Sequence, residues 1–285
     1  MTPQDPTVTV LKQSHFFLWV FLFFIPFFLS AEPRIISLAP DITETLFALD
    51  LGHLLVGTVE ESDYPAAASK IITIGSFIQP NKEVILRLKP NLILCRKEAL
   101  SISFHSWLQR QKIHFVLLPG STEDDIFFTI NTLGNILNKK NRALHLVRTL
   151  KQKLSLPQGK RKKNPLQVLI HIEENPLMIA GKNTLPHRAL ILAGVLNAGA
   201  HYTGYPKLQR ETVLKLNPDI ILFPLSAHEK KRTQTTIDLW KKWTSLSAVK
   251  HHALYTIDAD LVSRASPRFF DGVTLLSKMF ESYER

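Results

Sequence analysis

Aromatic residues in short polar loops are the most distinctive chemical feature of this 285-residue chain. Tyr64 lies in the sequence Ser-Asp-Tyr-Pro, directly after a strand-like segment. Phe77 and Tyr205 each precede a helix-like segment, at corresponding places in the two halves of the chain. Flat rings opposed across a cleft suit a large, mostly apolar ligand. Ordinary packing of each ring beneath its own turn is an equally open interpretation.

Two glutamates occupy corresponding positions as well. Glu83 and Glu211 each fall in the first turn of a helix-like segment. A carboxylate there complements the helix dipole by about 0.3–1 kcal/mol, which explains each residue without any function. A pair of exposed acids, one in each half, is also suited to docking on basic sockets of a partner protein.

Signatures of known catalytic sites are absent from the sequence. No G-x-G-x-x-G motif follows a strand, no G-x-S-x-G motif occurs, and Gly181-Lys182 lacks the rest of a P-loop. Cys95 is the single cysteine, which excludes a disulfide framework and a cysteine-based metal site. The eleven histidines are scattered along the chain. We therefore expect a protein that is not an enzyme and needs no metal or cofactor.

The hydrophobic pattern predicts an α/β fold with two lobes. Strand-like runs alternate with helix-like segments of ten to fifteen residues, as in parallel β/α units. Residues 81–94 (NKEVILRLKPNLIL) and 209–222 (QRETVLKLNPDIIL) align without gaps, each as a helix followed by a strand. This internal repeat predicts two similar lobes with parallel sheets, at 32–138 and 164–285, and a ligand cleft between them.

Polar residues predict where some of these helices begin. Ser121 and Asp124 have the spacing of a capping box. Ser266 and Pro267 are typical of the N-cap and first residue of a final helix over 266–283.

The first 31 residues have the pattern of a secretory signal peptide. Lys12 precedes an uninterrupted apolar run, FFLWVFLFFIPFFL, and Ser30-Ala31 follows it. The run is shorter than the roughly 18–20 residues of a spanning helix, although an uncleaved N-terminal anchor is the alternative. We expect an exported, periplasmic protein in either case.

Nearly all of the net charge of +11 comes from one segment. Residues 139–163 contain ten basic residues and no acidic one, and they are predicted to form a connecting helix with a spacer. A nucleic-acid groove would also need aromatic side chains, which this segment lacks. The interpretation as a solvated basic face is favoured, and we expect no nucleic-acid partner. Attraction to an anionic membrane surface is another hypothesis for this segment.

Several blocks of the sequence together resemble one transport family. RIISLAPDITETLFAL, SDYP, the two repeat blocks, AGK at 180–182 and DADLVSRASPR are similar in order and spacing to the vitamin B12-binding periplasmic proteins of cobalamin ABC importers. The resemblance covers about residues 33–283. It implies two Rossmann-like α/β lobes joined by a single long helix, with little lobe motion. The repeat blocks are shared with siderophore and haem binders, so they indicate the fold more than the ligand.

The resemblance also implies site residues. Tyr64 corresponds to the tyrosine that faces the corrinoid in this family. Phe77 and Tyr205 stand where tryptophan is expected, and Met178 stands where an aromatic residue is expected. These replacements put ligand preference and affinity in doubt, although methionine still packs well on a ring.

A second group of implied residues lies near the C-terminus. Asp260 and Arg264 match a polar pair that hydrogen-bonds amide side chains of the ligand. The ligand-binding segment between them consists of Leu261, Val262 and Ser263. Glu83 and Glu211 match glutamates that pair with arginines of the membrane permease. A disulfide known in the second lobe of the family cannot form here.

The resemblance therefore predicts a monomeric periplasmic protein that captures a corrinoid and delivers it to an ABC importer. The nearest alternative is the same scaffold carrying haem or a ferric siderophore, with His171, His201 or Tyr64 as conceivable iron ligands. A more distant alternative is an exported α/β enzyme with an unrecognised site.

Overall fold

The fold is taken from a computed structural model that describes residues 32–99, 101–155, 165–226 and 230–283. The signal-peptide interpretation of 1–31 and the basic spacer of the connector lie outside these residues. None of the described helices is both long and apolar enough to cross a membrane.

The first lobe is built on a sheet of four parallel strands, in the order β2-β1-β3-β4. Its strands are β1 (Ile35–Ser37), β2 (Leu55–Thr58), β3 (Leu92–Arg96) and β4 (Phe115–Leu118). Its helices are α1 (Pro40–Ala48), α2 (Lys82–Leu88), α3 (Ile102–Arg110) and α4 (Glu123–Ile136), and short 3₁₀ turns occupy Gly52–Leu54 and Ala68–Lys70.

The second lobe contains a mixed sheet in the order β6-β5-β8-β9, and β7 also pairs with β5. Its strands are β5 (Gln167–Glu174), β6 (Leu177–Ile179), β7 (Leu196–Asn197), β8 (Ile220–Leu225) and β9 (Leu254–Asp258), of which β6 is antiparallel to β5. Its helices are α6 (Leu185–Leu192), α7 (Arg210–Leu216), α8 (Lys230–Trp240), α9 (Ser247–Lys250), α10 (Asp260–Ser263) and α11 (Phe269–Glu281). Helix α5 (Lys140–Ser155) connects the lobes. The two-lobe α/β prediction is confirmed, whereas the exact domain boundaries stay a prediction.

The internal repeat is present in three dimensions. Helix α2 corresponds residue for residue to α7, and strand β3 corresponds to the first five residues of β8. Both helices end at a left-handed residue, Lys89 with φ 46° and Asn217 with φ 42°. A proline follows each of these positions and prevents the helix from continuing. The same local chemistry therefore places the two helix–strand units in corresponding positions.

Successive strand residues pack alternately in two hydrophobic cores. One, the shared core, contains residues of both lobes, and the other lies within a single lobe. In β1, Ile35 packs in the shared core and Ile36 in the core of the first lobe. In β8, Leu222 packs in the shared core and Ile221 in the core of the second lobe. This period of two is the geometry of a pleated strand with both faces covered. Because one core runs through both lobes, apolar packing opposes their separation.

Two predicted helix starts are wrong. The capping box is formed by Thr122 and Asp125, one residue later than the predicted pair of Ser121 and Asp124. The last helix begins at Phe269 rather than Ser266. Ser266 lies ahead of this helix: its hydroxyl oxygen accepts the Arg268 N–H at 3.2 Å, and the hydroxyl donates a 2.6 Å hydrogen bond to Glu44 in the other lobe.

Candidate functional site

A buried carboxylate of the first lobe forms the centre of the lobe interface. Glu44, on α1, is 4% exposed. Its Oε2 accepts the Ser266 hydroxyl at 2.6 Å, and its Oε1 lies 3.0 Å from Arg264 Nη1 and 3.3 Å from Arg268 Nη1. All three partners belong to the second lobe, in the segment between α10 and α11. A carboxylate in such surroundings is stable only because it is paired and hydrogen-bonded.

Burial also affects the ionisation of this residue. It raises the pKa of the Glu44 carboxyl above its ordinary value, and the Ser266 hydrogen bond and the two arginines offset this only in part. Burial likewise raises the pKa of Asp260, despite the neighbouring charge of Arg264. Both carboxyl groups are therefore partly shielded from solvent at the junction between the lobes.

Arg264 is the most heavily engaged side chain of this interface. Its guanidinium lies 2.9 Å from Asp260, 3.0 Å from Glu44 and 2.8 Å from Asp63, and it donates to the Glu61 carbonyl at 3.2 Å. Within the described part of the chain, these contacts use four of its five N–H groups. Burial raises the pKa of Asp63, but the hydrogen bond and charge of Arg264 lower it further, to below its ordinary value. Arg264 thus holds the two lobes together and has little capacity left for a ligand.

Tyr64 lies beside this cluster with one face of its ring covered. The Arg268 guanidinium carbon is 4.0 Å from the ring centroid, a cation–π contact. The side chain is nevertheless 48% exposed. A flat ligand therefore has an open aromatic surface to contact, as the prediction for Tyr64 requires. The sequence did not identify Arg268 as a site residue, although Arg268 directly follows the Ser266-Pro267 pair at the predicted helix start.

Phe77 and Arg264 line one cavity at the junction of the lobes, which we call the Phe77 cavity. Its volume is about 270 Å³. Five of the seven residues that line it are charged or polar, and they come from both lobes: Asp41, Glu61, Arg96, Ser263 and Arg264. Pro40 and Phe77 complete the lining, and much of the exposed lining surface is apolar. The Glu61 carboxylate accepts the Phe77 backbone N–H at 3.0 Å and so fixes this loop.

Arg96 is a second residue that sequence reasoning missed. It is 6% exposed at the end of β3. Its guanidinium donates to Asp41 at 2.8 Å, to Thr129 at 3.2 Å and to the Ala265 carbonyl of the second lobe at 3.1 Å. The only sequence signal for it was a charged residue at the carboxyl end of an otherwise apolar strand.

Met178 and Tyr205 form a separate group within the second lobe. The β6 strand, which contains Met178, bonds to the segment just after Tyr205: the Ile179 N–H donates to the Pro206 carbonyl at 3.3 Å, and Met178 forms a β-bridge with Lys207. Tyr205 is 46% exposed. Neither side chain lines the Phe77 cavity. The structure therefore divides the predicted ligand-binding residues between two neighbourhoods.

The predicted segment 260–264 is only partly available to a ligand. Val262 is fully buried in the shared core, so its prediction as a ligand contact is wrong. Leu261 packs against α11, where a Cβ on Gly272 would come within 2.1 Å of the Leu261 carbonyl oxygen. Ser263 is exposed and lines the Phe77 cavity. Asp260 is held by Arg264.

Glu83 and Glu211 lie outside the Phe77 cavity. Both are exposed in the first turn of their helices, α2 and α7. Their equivalence through the repeat is therefore retained in the structure, and both carboxylates are accessible to a partner.

His171 is unsuited to ligate iron in the cleft. Its side chain is buried, and its Nε2 lies 3.0 Å from Glu174 Oε2. The ring also packs against Phe223 and Trp240. Among the described residues, no group of three or more histidine, cysteine or acidic side chains is arranged to hold a metal ion.

A larger cavity, of about 830 Å³, lies beside the edge strand β9 in the second lobe. It is lined by residues such as Lys241, Lys250 and Tyr255, and it shares none with the Phe77 cavity. Since all its lining comes from one lobe, we assign the candidate site to the junction instead.

Comparison with known proteins decides the class of this site. Residues 35–261 match the family model for periplasmic binding proteins. The chain belongs to this family. An uncharacterized ABC transporter substrate-binding lipoprotein of Bacillus subtilis is 30% identical over 256 residues, which cover 87% of this chain and 80% of that protein. The vitamin B12-binding protein of Pectobacterium atrosepticum is 29% identical, over 82% of this chain and 84% of its own length.

Solved structures of other periplasmic binding proteins share the architecture. The vitamin B12-binding protein BtuF of Vibrio cholerae superposes with a TM-score of 0.75 at 28% identity, covering 88% of this chain and 98% of that one. The haem-binding protein RhuT of Roseiflexus sp. RS-1 gives a TM-score of 0.78 at 23% identity, with the same coverage. At that identity the second comparison shows the fold alone.

The pairing of Glu123 with Arg188 generates a prediction about acid stability. Arg188 Nε donates to Glu123 Oε2 at 2.8 Å across the lobes. Burial raises the pKa of Glu123, but the Arg188 hydrogen bond and charge lower it further, to below its ordinary value of 4.5. The stability this pair contributes is therefore present above about pH 4.5 and is lost as the pH falls through the depressed folded-state value.

We expect Glu123→Gln to lower the free energy of unfolding by about 1–3 kcal/mol near neutral pH, which is several degrees in Tm. The difference from the unsubstituted protein narrows towards about pH 3, because the charge contribution is lost as the pH falls through the depressed folded-state pKa of Glu123. Thermal unfolding at both pH values is the measurement. Glu98→Gln, at an exposed position, is the matched control. An equal Tm deficit at both pH values would contradict the assigned role of the charge.

Proposed function

We propose that this periplasmic binding protein captures cobalamin or a related corrinoid at the junction of its lobes and delivers it to an ABC importer. Binding is non-covalent, uses no cofactor and occurs in a monomer. The observation that carries the proposal is the half-exposed Tyr64 ring, which Arg268 contacts on one face. Its exposed surface suits a large flat ligand.

The relatives support this ligand class. Vitamin B12-binding proteins at 28–29% identity cover more than four-fifths of the chain. The haem-binding neighbours at 20–23% identity share the fold alone.

The charges at the junction also favour a corrinoid over an anionic ligand. Around Tyr64 in the described structure, the arginines Arg264 and Arg268 are paired with a larger set of acids, namely Glu44, Asp63, Asp258 and Asp260. Haem carries two propionates, and ferric siderophores are commonly anionic. An excess of carboxylates repels such ligands, whereas the amide arms of a corrinoid are neutral.

Titration calorimetry with cyanocobalamin tests the proposal. We expect one-to-one binding, weakened about tenfold or more by Tyr64→Ala and preserved in Tyr64→Phe, because the ring face makes the contact. Phe128→Ala removes an exposed ring from α4 and is the control, with unchanged affinity. Haemin is the competing ligand. Saturation by haemin without any binding of cyanocobalamin would overturn the ligand while leaving the fold and family intact.

We further propose that Glu83 and Glu211 dock on basic sites of the importer, because both are exposed and are equivalent through the repeat. The double variant Glu83→Arg/Glu211→Arg should reduce uptake of cobalamin by proteoliposomes containing the importer about tenfold or more. Its affinity for cyanocobalamin should be unchanged. Glu98→Arg, at an exposed position outside the repeat, is the control. Normal uptake by the double variant would refute the docking role.

A further inference from the structure

We propose that the Phe77 cavity is a subsite for a primary amide, namely one propionamide arm of the ligand, and that it rejects a carboxylate at the same position. This inference rests on the corrinoid function proposed above. It adds the chemistry by which the site selects among flat ligands of similar size.

The size of the cavity fits an arm rather than a whole ligand. Its volume of about 270 Å³ is below the roughly 300–1,000 Å³ of sites that enclose entire small molecules. Phe77 and Arg264 both line it, and Arg264 also belongs to the cluster around Tyr64. Arg264 thus joins the surroundings of Tyr64 to this cavity, so that an arm at the edge of a flat ligand on Tyr64 would have this cavity as its nearest described pocket at the lobe junction.

The two guanidinium groups in the cavity are already committed. Arg264 is paired with Glu44, Asp63 and Asp260. Arg96 uses all three of its nitrogen atoms, towards Asp41, Thr129 and backbone carbonyls that include Ala265. Neither can offer the bidentate pairing by which arginine binds a free carboxylate.

The acidic side chains of the cavity favour a hydrogen-bond donor, such as a primary amide, over a carboxylate. Glu61 uses Oε2 for the Phe77 N–H, and its carboxylate has further acceptor capacity. Asp41 lines the same cavity, although Arg96 neutralises it. A primary amide donates two N–H groups to such acceptors, and its oxygen can accept from the Ser263 hydroxyl. A carboxylate has no donor and meets the Glu61 charge directly.

Glu61 accordingly has two roles in this subsite. It accepts a hydrogen bond from the amide arm, and it acts as a positioning residue for Phe77 through the 3.0 Å backbone contact. Glutamine in its place retains an acceptor for the Phe77 N–H but removes the negative charge. The substitution therefore tests the electrostatic rejection of a carboxylate while leaving the position of the Phe77 ring unchanged.

The test compares cyanocobalamin with its monocarboxylic acids, in each of which one propionamide has been hydrolysed to propionate. At about pH 7.5 the propionate is ionised. We expect at least one monoacid to bind the unsubstituted protein about tenfold or more weakly than cyanocobalamin. In Glu61→Gln the ratio of the affinity for cyanocobalamin to that for this monoacid should fall to about threefold or less, chiefly because the monoacid binds more tightly. Glu60→Gln removes the same charge at the adjacent exposed position and should leave the ratio unchanged.

Each other outcome overturns the subsite. Equal affinity for cyanocobalamin and all the monoacids means that the protein does not recognise any propionamide arm. The proposed binding of a corrinoid would still stand in that case. Discrimination that persists in Glu61→Gln, or that changes equally in Glu60→Gln, places the selection elsewhere. Absence of cyanocobalamin binding to the unsubstituted protein removes the proposed function and this inference together.

Discussion

The buried contact between Glu44 and the segment preceding α11 is the constraint on which the candidate site depends. One carboxylate, 4% exposed, holds Ser266, Arg264 and Arg268 of the opposite lobe. Arg268 in turn covers one face of Tyr64, and Arg264 closes one side of the Phe77 cavity. Removing one member would leave buried charge without a partner, which is costly. The relative position of the lobes and the position of the Tyr64 ring, the proposed ligand contact, are thus fixed by the same group.

This arrangement is consistent with a site that is largely assembled before ligand binds. The shared apolar core, the Glu123–Arg188 pair and the stacked rings of Phe127 and Phe270, 5.1 Å apart, add further contacts between the lobes. A preorganised site loses less conformational entropy on binding than a hinged one. Selectivity in such a site comes from fixed charges, and here most of the positive charge is already neutralised by protein carboxylates.

Local patterns in the sequence predicted what depends on local chemistry. The repeat, its two left-handed helix ends and the alternation of core faces follow from residues close together in the chain. Arg96 and Arg268 were missed because their partners are far away in sequence, as in the Arg96 contact to Ala265. Ser266 was assigned to a helix cap for the same reason, since its preferred partner is Glu44, more than 200 residues earlier. Val262 was included by the resemblance, but the helical turn of α10 directs it into the core.

A crystal structure of the protein with cyanocobalamin is the decisive test of the corrinoid site. We expect the corrin ring on the exposed side of Tyr64, one propionamide in the Phe77 cavity within hydrogen-bond distance of Glu61, and the contacts of Glu44 with Arg264 and Arg268 unchanged. A ligand bound away from Tyr64, or one whose binding releases Arg264 and Arg268 from Glu44, would show that the site is not the one described.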